Sequence, residues 1–298
     1  MKNSRLFILF MIISISLNAQ NKTVSFSRLL SDQEIHNPAY SAYRQKMSLK
    51  LIYHSQFGSL KGHSKSYGAN FTYPVINSKV GSFLSVINED VGLHNVLNIK
   101  GGVNSCVKIS SFAYLSGGIS LGVQSRMYRK DEVICYDDVD LSKIDLNDNK
   151  LNLGVGIYYF DPYMFAGIAI NDVTYSDNIR CSNLDMYLGY NYSFFPYKYI
   201  LRSSVLYKYY NSNNIFHIDE KLFYSGRFGL GFSYTFSYEW ALNLDLKLSR
   251  DIWCFYSFEN HFNVAEFSLK SHSIGLYYNP KYMKRIFKNV LRFRNLYN

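Results

Sequence analysis

The chain has 298 residues, of which 48% are hydrophobic, 17% aromatic and 18% charged, with a formal charge of +10. That apolar and aromatic content excludes an intrinsically disordered chain, and only 5 prolines exclude a collagen-like or proline-rich array. Beyond the N-terminus no apolar run reaches the roughly 18 residues a membrane-spanning helix needs, so a helical membrane bundle is excluded and a tyrosine-rich, β-rich chain remains.

Lys2 and Arg5 precede an apolar run from Leu6 to Leu17, and Asn18-Ala19-Gln20 follows. Charge, a short apolar run and a small residue, in that order, mark a secretory signal peptide over residues 1–19. Gln20 rather than a cysteine follows the expected cut, which speaks against a lipoprotein anchor. Residues 20–45 then form a periplasmic or plug-like segment. Within it stands Asn37-Pro38-Ala39-Tyr40, whose X-Pro step reads as an extended or turn dipeptide. Three roles suit these four residues: a contact with a periplasmic partner, a plug in a barrel mouth, or a structural lead-in to the first strand.

From residue 46 to 279 the dominant period is two. Trp240, Leu242, Leu244, Leu246 and Leu248 alternate with Ala241, Asn243, Asp245, Lys247 and Ser249. That spacing puts the large apolar set on one face of a strand, where a helix would scatter it. Leu115 to Met127 behaves alike. Strands are expected near 46–57, 64–74, 79–88, 95–109, 113–128, 150–160, 162–170, 184–194, 198–210, 215–223, 226–234, 239–248, 252–261 and 267–278. Several reach the roughly 9–11 residues with which a tilted strand crosses a bilayer. Short links (74–78, 110–111, 161, 196–197, 250–251) alternate with longer ones (129–149, 171–183, 261–266), as in outer-membrane barrels. An even strand count puts both termini on the periplasmic side. Clustered rings at Tyr158-Tyr159-Phe160, Phe194-Phe195 and Tyr207, Tyr209 and Tyr210 are expected at the membrane–water interfaces. The alternative is a soluble β-sandwich or propeller. Strand length, few prolines and the tyrosine excess favour the barrel, and the lack of a 20–50-residue repeat disfavours a propeller. The fold class is therefore an all-β transmembrane antiparallel barrel of about 14 strands.

Cys106, Cys135, Cys181 and Cys254 form no CxxC pair, which leaves a zinc-thiolate site without support, and Cys135–Cys181 is the bridge worth testing. No hydrolase, nucleotide-binding or zinc-protease motif is present. His217-Ile218-Asp219 and Glu259-Asn260-His261 each place two polar groups on one strand face. They suit a wet lumen better than a barrel hydrolase. No catalytic, cofactor or metal residues are therefore assigned. Asp131, Glu132, Asp137, Asp138, Asp140, Asp145 and Asp148 make one loop acidic, without the spacing of an EF-hand. Asp137, Asp138 and Asp140 are candidates for contact with a partner outside the cell. Residues 280–298 form a basic tail in which Lys281, Lys284, Arg285, Lys288, Arg292 and Arg294 alternate with apolar residues. It suits a short amphipathic helix on a lipid surface or a partner, with Lys284, Arg285 and Lys288 as candidate contacts, or else a solubilising terminus. An exported chain without a nucleic-acid-binding motif implies no nucleic-acid partner.

An ordered set of segments carries a family likeness. Phe26-Ser27-Arg28 is followed by Asn37-Pro38-Ala39-Tyr40-Ser41, by Tyr67-Gly68-Ala69-Asn70-Phe71-Thr72-Tyr73-Pro74, and by Val80-Gly81-Ser82-Phe83-Leu84-Ser85-Val86-Ile87-Asn88-Glu89-Asp90-Val91-Gly92. Leu115–Gln124, Tyr163–Asn171 and Ser271–Tyr278 continue the order. The set resembles the PorP/SprF family of outer-membrane proteins of the Bacteroidetes type IX secretion and gliding machinery. Ser41-Ala42 stands where that family usually has Ala-Gly, and Arg28 replaces its Gln. The resemblance implies an outer-membrane barrel without enzymatic activity or cofactor. Its partners would be outer-membrane lipids, a secreted surface adhesin or other type IX client, and a periplasmic lipoprotein or peptidoglycan-binding component. The expected role is to dock or anchor such proteins; the competing role is a passive pore for small solutes.

Overall fold

The computed structural model describes residues 33–40, 47–58, 63–76, 80–128, 148–174, 183–194, 198–210, 213–236, 238–262 and 270–280. Within them the chain forms a closed barrel of fourteen strands, each antiparallel to its neighbours in sequence. The strands are β1 (Ser48–Gln56), β2 (Lys65–Ile76), β3 (Val80–Val91), β4 (His94–Lys108), β5 (Tyr114–Tyr128), β6 (Asp148–Phe160) and β7 (Met164–Thr174), then β8 (Asn183–Phe194), β9 (Tyr199–Tyr210), β10 (Asn213–Tyr224), β11 (Phe228–Thr235), β12 (Glu239–Lys247), β13 (Ile252–His261) and β14 (Lys270–Tyr278). Closure comes from β1 pairing with β14, from Leu49 opposite Tyr278 to Gln56 opposite Ser271. A closed sheet leaves no unpaired edge, and hydrocarbon offers nothing else to satisfy such an edge. The fourteen strands expected from the period of two are all present. Register slips in two places. One lies between Pro74 and Ile76, where proline has no N–H to give the ladder, and the other is a bulge between Leu153 and Val155.

The two faces of the sheet are inverted relative to a water-soluble protein. Ile119, Leu121, Leu188, Leu242 and Ile274 point outward and are more than half exposed. Inward residues such as Ser48, Asn70, Ser116, Asp185, Ser257 and Ser273 are buried. Because side chains alternate along a strand, one parity meets lipid and the other lines the lumen. This pattern decides between the membrane barrel and the soluble sandwich in favour of the barrel.

The start of β1, the end of β14 and the links after β2, β4, β6, β8, β10 and β12 share one rim, here the terminal rim. Local chemistry explains these tight links. At residues 161–163, Asp161 Oδ1 accepts from the backbone N–H groups of Tyr163 and Met164 at 2.7 and 2.8 Å. After β10, Ser225 and Gly226 take φ of 50° and 59°, and the Arg227 N–H donates to the Tyr224 carbonyl at 3.0 Å. Left-handed central residues give a hairpin the twist of its strands. The opposite rim carries the longer links 129–147, 175–182 and 263–269 (all outside the described residues), but also a two-residue turn between β3 and β4.

Alternation also corrects the expectation for the clustered aromatics. Only Tyr159 of its triplet points outward, while Tyr158 and Phe160 are buried inside at 1% and 6% exposure. Three consecutive strand residues cannot share a face, so such a cluster cannot all belong to an interfacial belt.

Candidate functional site: a segment seated in the lumen

Residues 33–40 lie inside the barrel, against the wall formed by β4 to β8. Gln33–His36 form a single helical turn, α1. Asn37 precedes a proline, which disfavours continued helix at that residue and ends α1. Asn37 to Tyr40 then make a turn, with the Tyr40 N–H donating to the Asn37 carbonyl at 3.0 Å. Asn37 Oδ1 accepts from the Ala39 N–H at 2.9 Å, an asparagine-closed turn of the kind this side chain favours.

The turn is bonded to the wall at every step. Asn37 Nδ2 donates to the Ile157 carbonyl at 3.0 Å. The Pro38 carbonyl accepts from Asn104 Nδ2 at 2.8 Å, and the Ala39 carbonyl accepts from Ser116 Oγ at 2.8 Å. Tyr158 OH donates to Gln33 Oε1 at 2.6 Å, and Asn171 Nδ2 donates to the His36 carbonyl. These are buried polar groups, so each bond also avoids the penalty of an unsatisfied donor or acceptor. Ala39 and Tyr40 join Tyr114, Tyr158, Phe160 and Phe165 in one apolar cluster. Tyr40 meets Tyr158 edge-on, with centroids 5.1 Å apart.

Glycines make room for this segment. A Cβ on Gly118 would stand 2.5 Å from the Pro38 carbonyl oxygen, and one on Gly156 would overlap Asn37 Oδ1. On Gly167 it would reach 2.7 Å from Asn37 Nδ2. All three sit at inward positions of β5, β6 and β7, so bare backbone forms the seat. Above it lies a charged network. His36 Nδ1 is 3.4 Å from Asp185 Oδ2, Lys208 Nζ is 4.0 Å from Asp185 Oδ1, and Asn171 Nδ2 donates to Asp185 at 3.0 Å. Lys100 Nζ donates to Asn171 Oδ1 at 2.6 Å.

Two other polar groups line the lumen at β10 to β14. His217 Nδ1 is 2.8 Å from Thr235 Oγ1, while Ser233 Oγ donates to Asp219 Oδ1 at 2.6 Å and Lys221 Nζ lies 3.3 Å from Asp219 Oδ2. The serine is thus bonded to the carboxylate and the histidine to a threonine, so these contacts do not form the serine–histidine–carboxylate relay of a hydrolase. At the rim opposite the termini, Glu239, Glu259 and His261 converge, each offering one ligand atom within 4.8 Å of the others.

Of the residues singled out by sequence, Asn37, Pro38, Ala39 and Tyr40 are brought together on the lumenal wall. Asp137, Asp138, Asp140, Lys284, Arg285 and Lys288 lie outside the described residues, as do the expected signal peptide and the Cys135–Cys181 pairing. Asp148, at the end of the acidic loop, pairs with exposed Lys150 at 2.9 Å. Neither Cys106 nor Cys254 is in a disulfide bond. The glycine seat and its partners Asn104, Ser116 and Asn171 carry no motif that marks them in the sequence. Their inward parity was available, but nothing in a linear sequence says which segment sits against them.

A family model described as type IX secretion system membrane protein PorP/SprF matches residues 18–278. Comparison with curated proteins finds no match. Among solved structures, the chain is similar to a mutant of the TodX monoaromatic hydrocarbon channel (TM-score 0.53, 10% identity, 85% of this chain and 94% of that one). It is also similar to the Ralstonia pickettii toluene transporter TbuX (TM-score 0.50, 9% identity, 82% and 92%). At these identities the likeness concerns the barrel fold alone.

Proposed function

Because this chain belongs to the PorP/SprF family of type IX secretion membrane proteins, we propose that it is a non-enzymatic docking barrel of the outer membrane. In this reading both termini face the periplasm. The terminal rim and the chain around residues 20–45 meet a periplasmic lipoprotein or peptidoglycan-binding component, and the opposite rim holds or positions a secreted surface protein. The observation that carries the reading is the seat of residues 33–40. A buried turn bonded to the wall at Asn104, Ser116, Ile157, Tyr158 and Asn171 takes up part of the lumen, which supports docking over a passive pore. A lumen that holds part of its own chain supports action through the rims over passive flow.

The test is affinity purification of the native protein from outer membranes in mild detergent, paired with conductance in planar bilayers. Recovery of a large secreted surface protein or a periplasmic lipoprotein, with little conductance, is the expected result. Recovery of neither, with steady conductance, would instead establish a passive pore for small solutes.

A further inference from the structure

We propose that Glu239, Glu259 and His261 form a binding site for a divalent transition-metal ion, of which Zn²⁺ is the type, at the lumenal end of β12 and β13. Glu239 opens β12 and His261 closes β13, and the two face each other across the ladder. Glu259 lies two residues before His261, on the same face. The carboxylates are 2% and 0% exposed, and one atom from each of the three side chains falls within 4.8 Å of the others. Two carboxylates held that close in a buried place repel each other, and a divalent ion between them turns the repulsion into attraction.

The histidine has the outer hydrogen-bond partner that a metal-bound histidine uses. Its Nε2 is 2.8 Å from Ser271 Oγ on β14, and its Nδ1 faces Glu239 Oε2 at 3.1 Å. With Nε2 protonated and donating to the serine, Nδ1 presents its lone pair to the cluster, and a fixed outer partner of this sort sets tautomer and ring angle. Phe57 packs edge-on against the same ring, with centroids 4.9 Å apart. Glu259 is steadied from the other side, where Ser273 Oγ approaches its Oε1 at 3.4 Å. One imidazole and two carboxylates make a mixed nitrogen–oxygen set, which suits Zn²⁺ or Mn²⁺ better than Ca²⁺, whose shells are all oxygen. Three protein ligands are one short of a closed zinc site, so water completes the shell in the isolated protein. The ion would tie β12 to β13 at the rim opposite the termini.

The experiment uses the full mature protein in detergent, stripped with chelator and titrated with Zn²⁺. One equivalent should bind, with Ca²⁺ and Mg²⁺ failing to compete. Glu259→Gln and His261→Gln should each weaken binding by more than the roughly 10-fold expected for Ser271→Ala, which leaves all three ligands in place. Heat-modifiable migration on gels identifies the variants that are folded. X-ray absorption of the wild-type zinc complex requires no variant and should show a single imidazole with oxygen donors. Failure of the wild type to bind an equivalent of Zn²⁺ would overturn the site. Sulfur ligation, which would place the ion on one or more of the four cysteines, would overturn it as well.

Discussion

Asn37 shows how much one side chain contributes to the seated segment. Its carboxamide closes the turn onto Ala39 and bonds the wall at Ile157, while its backbone ends α1 ahead of Pro38. Asn37→Ala removes both side-chain bonds and leaves the strands untouched. At about 1 kcal/mol per net hydrogen bond, the amide of Ala39 should exchange with solvent roughly 10-fold faster or more, and exchange of the β5 and β6 ladder should stay unchanged. Hydrogen exchange with mass spectrometry measures both. Asparagine before proline was legible in the sequence as a turn. That its two bonds run to Ala39 and to a carbonyl 120 residues away was not. The same holds for Tyr158, read as an interfacial ring and found in the lumen with its hydroxyl on Gln33.

At the scale of the strand, alternation carries most of the information. In β5, Leu115, Ile119, Leu121 and Val123 are all exposed on the outer face, and Tyr114, Ser116 and Ser120 are buried on the inner one. Leu121 lies near the middle of that strand and is 55% exposed. Leu121→Arg should therefore destabilise the barrel by about 2–4 kcal/mol, the range for a basic residue near the bilayer midplane. Reversible urea unfolding in lipid vesicles measures it, and an effect near zero would mean that this face does not meet hydrocarbon. Strand existence was readable throughout, but strand ends were less so. β7 runs to Thr174, four residues past the expected limit, because pairing with β6 resumes at Val173 and Thr174 beyond the Leu153–Val155 bulge. A bulge depends on the partner strand, which a local pattern does not contain. Glu220 breaks the pattern in β10. It stands at an outward position and accepts a hydrogen bond from Ser203 of β9 at 2.6 Å, which lowers the cost of a carboxyl group on that face.

At the scale of the whole molecule, the segment seated in the lumen bears on what can pass through the barrel. Gly156→Val puts a branched side chain where Asn37 now sits, since even a Cβ there would overlap Asn37 Oδ1. The barrel should still form, because its ladder hydrogen bonds and outer face are unchanged. The displaced segment should then raise conductance in planar bilayers above the wild-type level. Conductance unchanged in a folded variant would show that residues 33–40 do not limit passage through the lumen.

The sequence by itself determined a strand-built membrane barrel, its number of strands, the alternation of faces along strands such as β5 and β12, and the family likeness. All of these follow from a period of two and from motifs a few residues long, which are local properties. Only the tertiary structure decided that Asn37 to Tyr40 fold back against glycines of β5, β6 and β7, and that Glu239, Glu259 and His261 converge on one point with Ser271 behind them. The first contact needs the sheet curled and closed around the segment, while the second follows from the register of the neighbouring strands β12, β13 and β14. Closure depends on register and shear summed around all fourteen strands, and no short stretch of sequence encodes that sum.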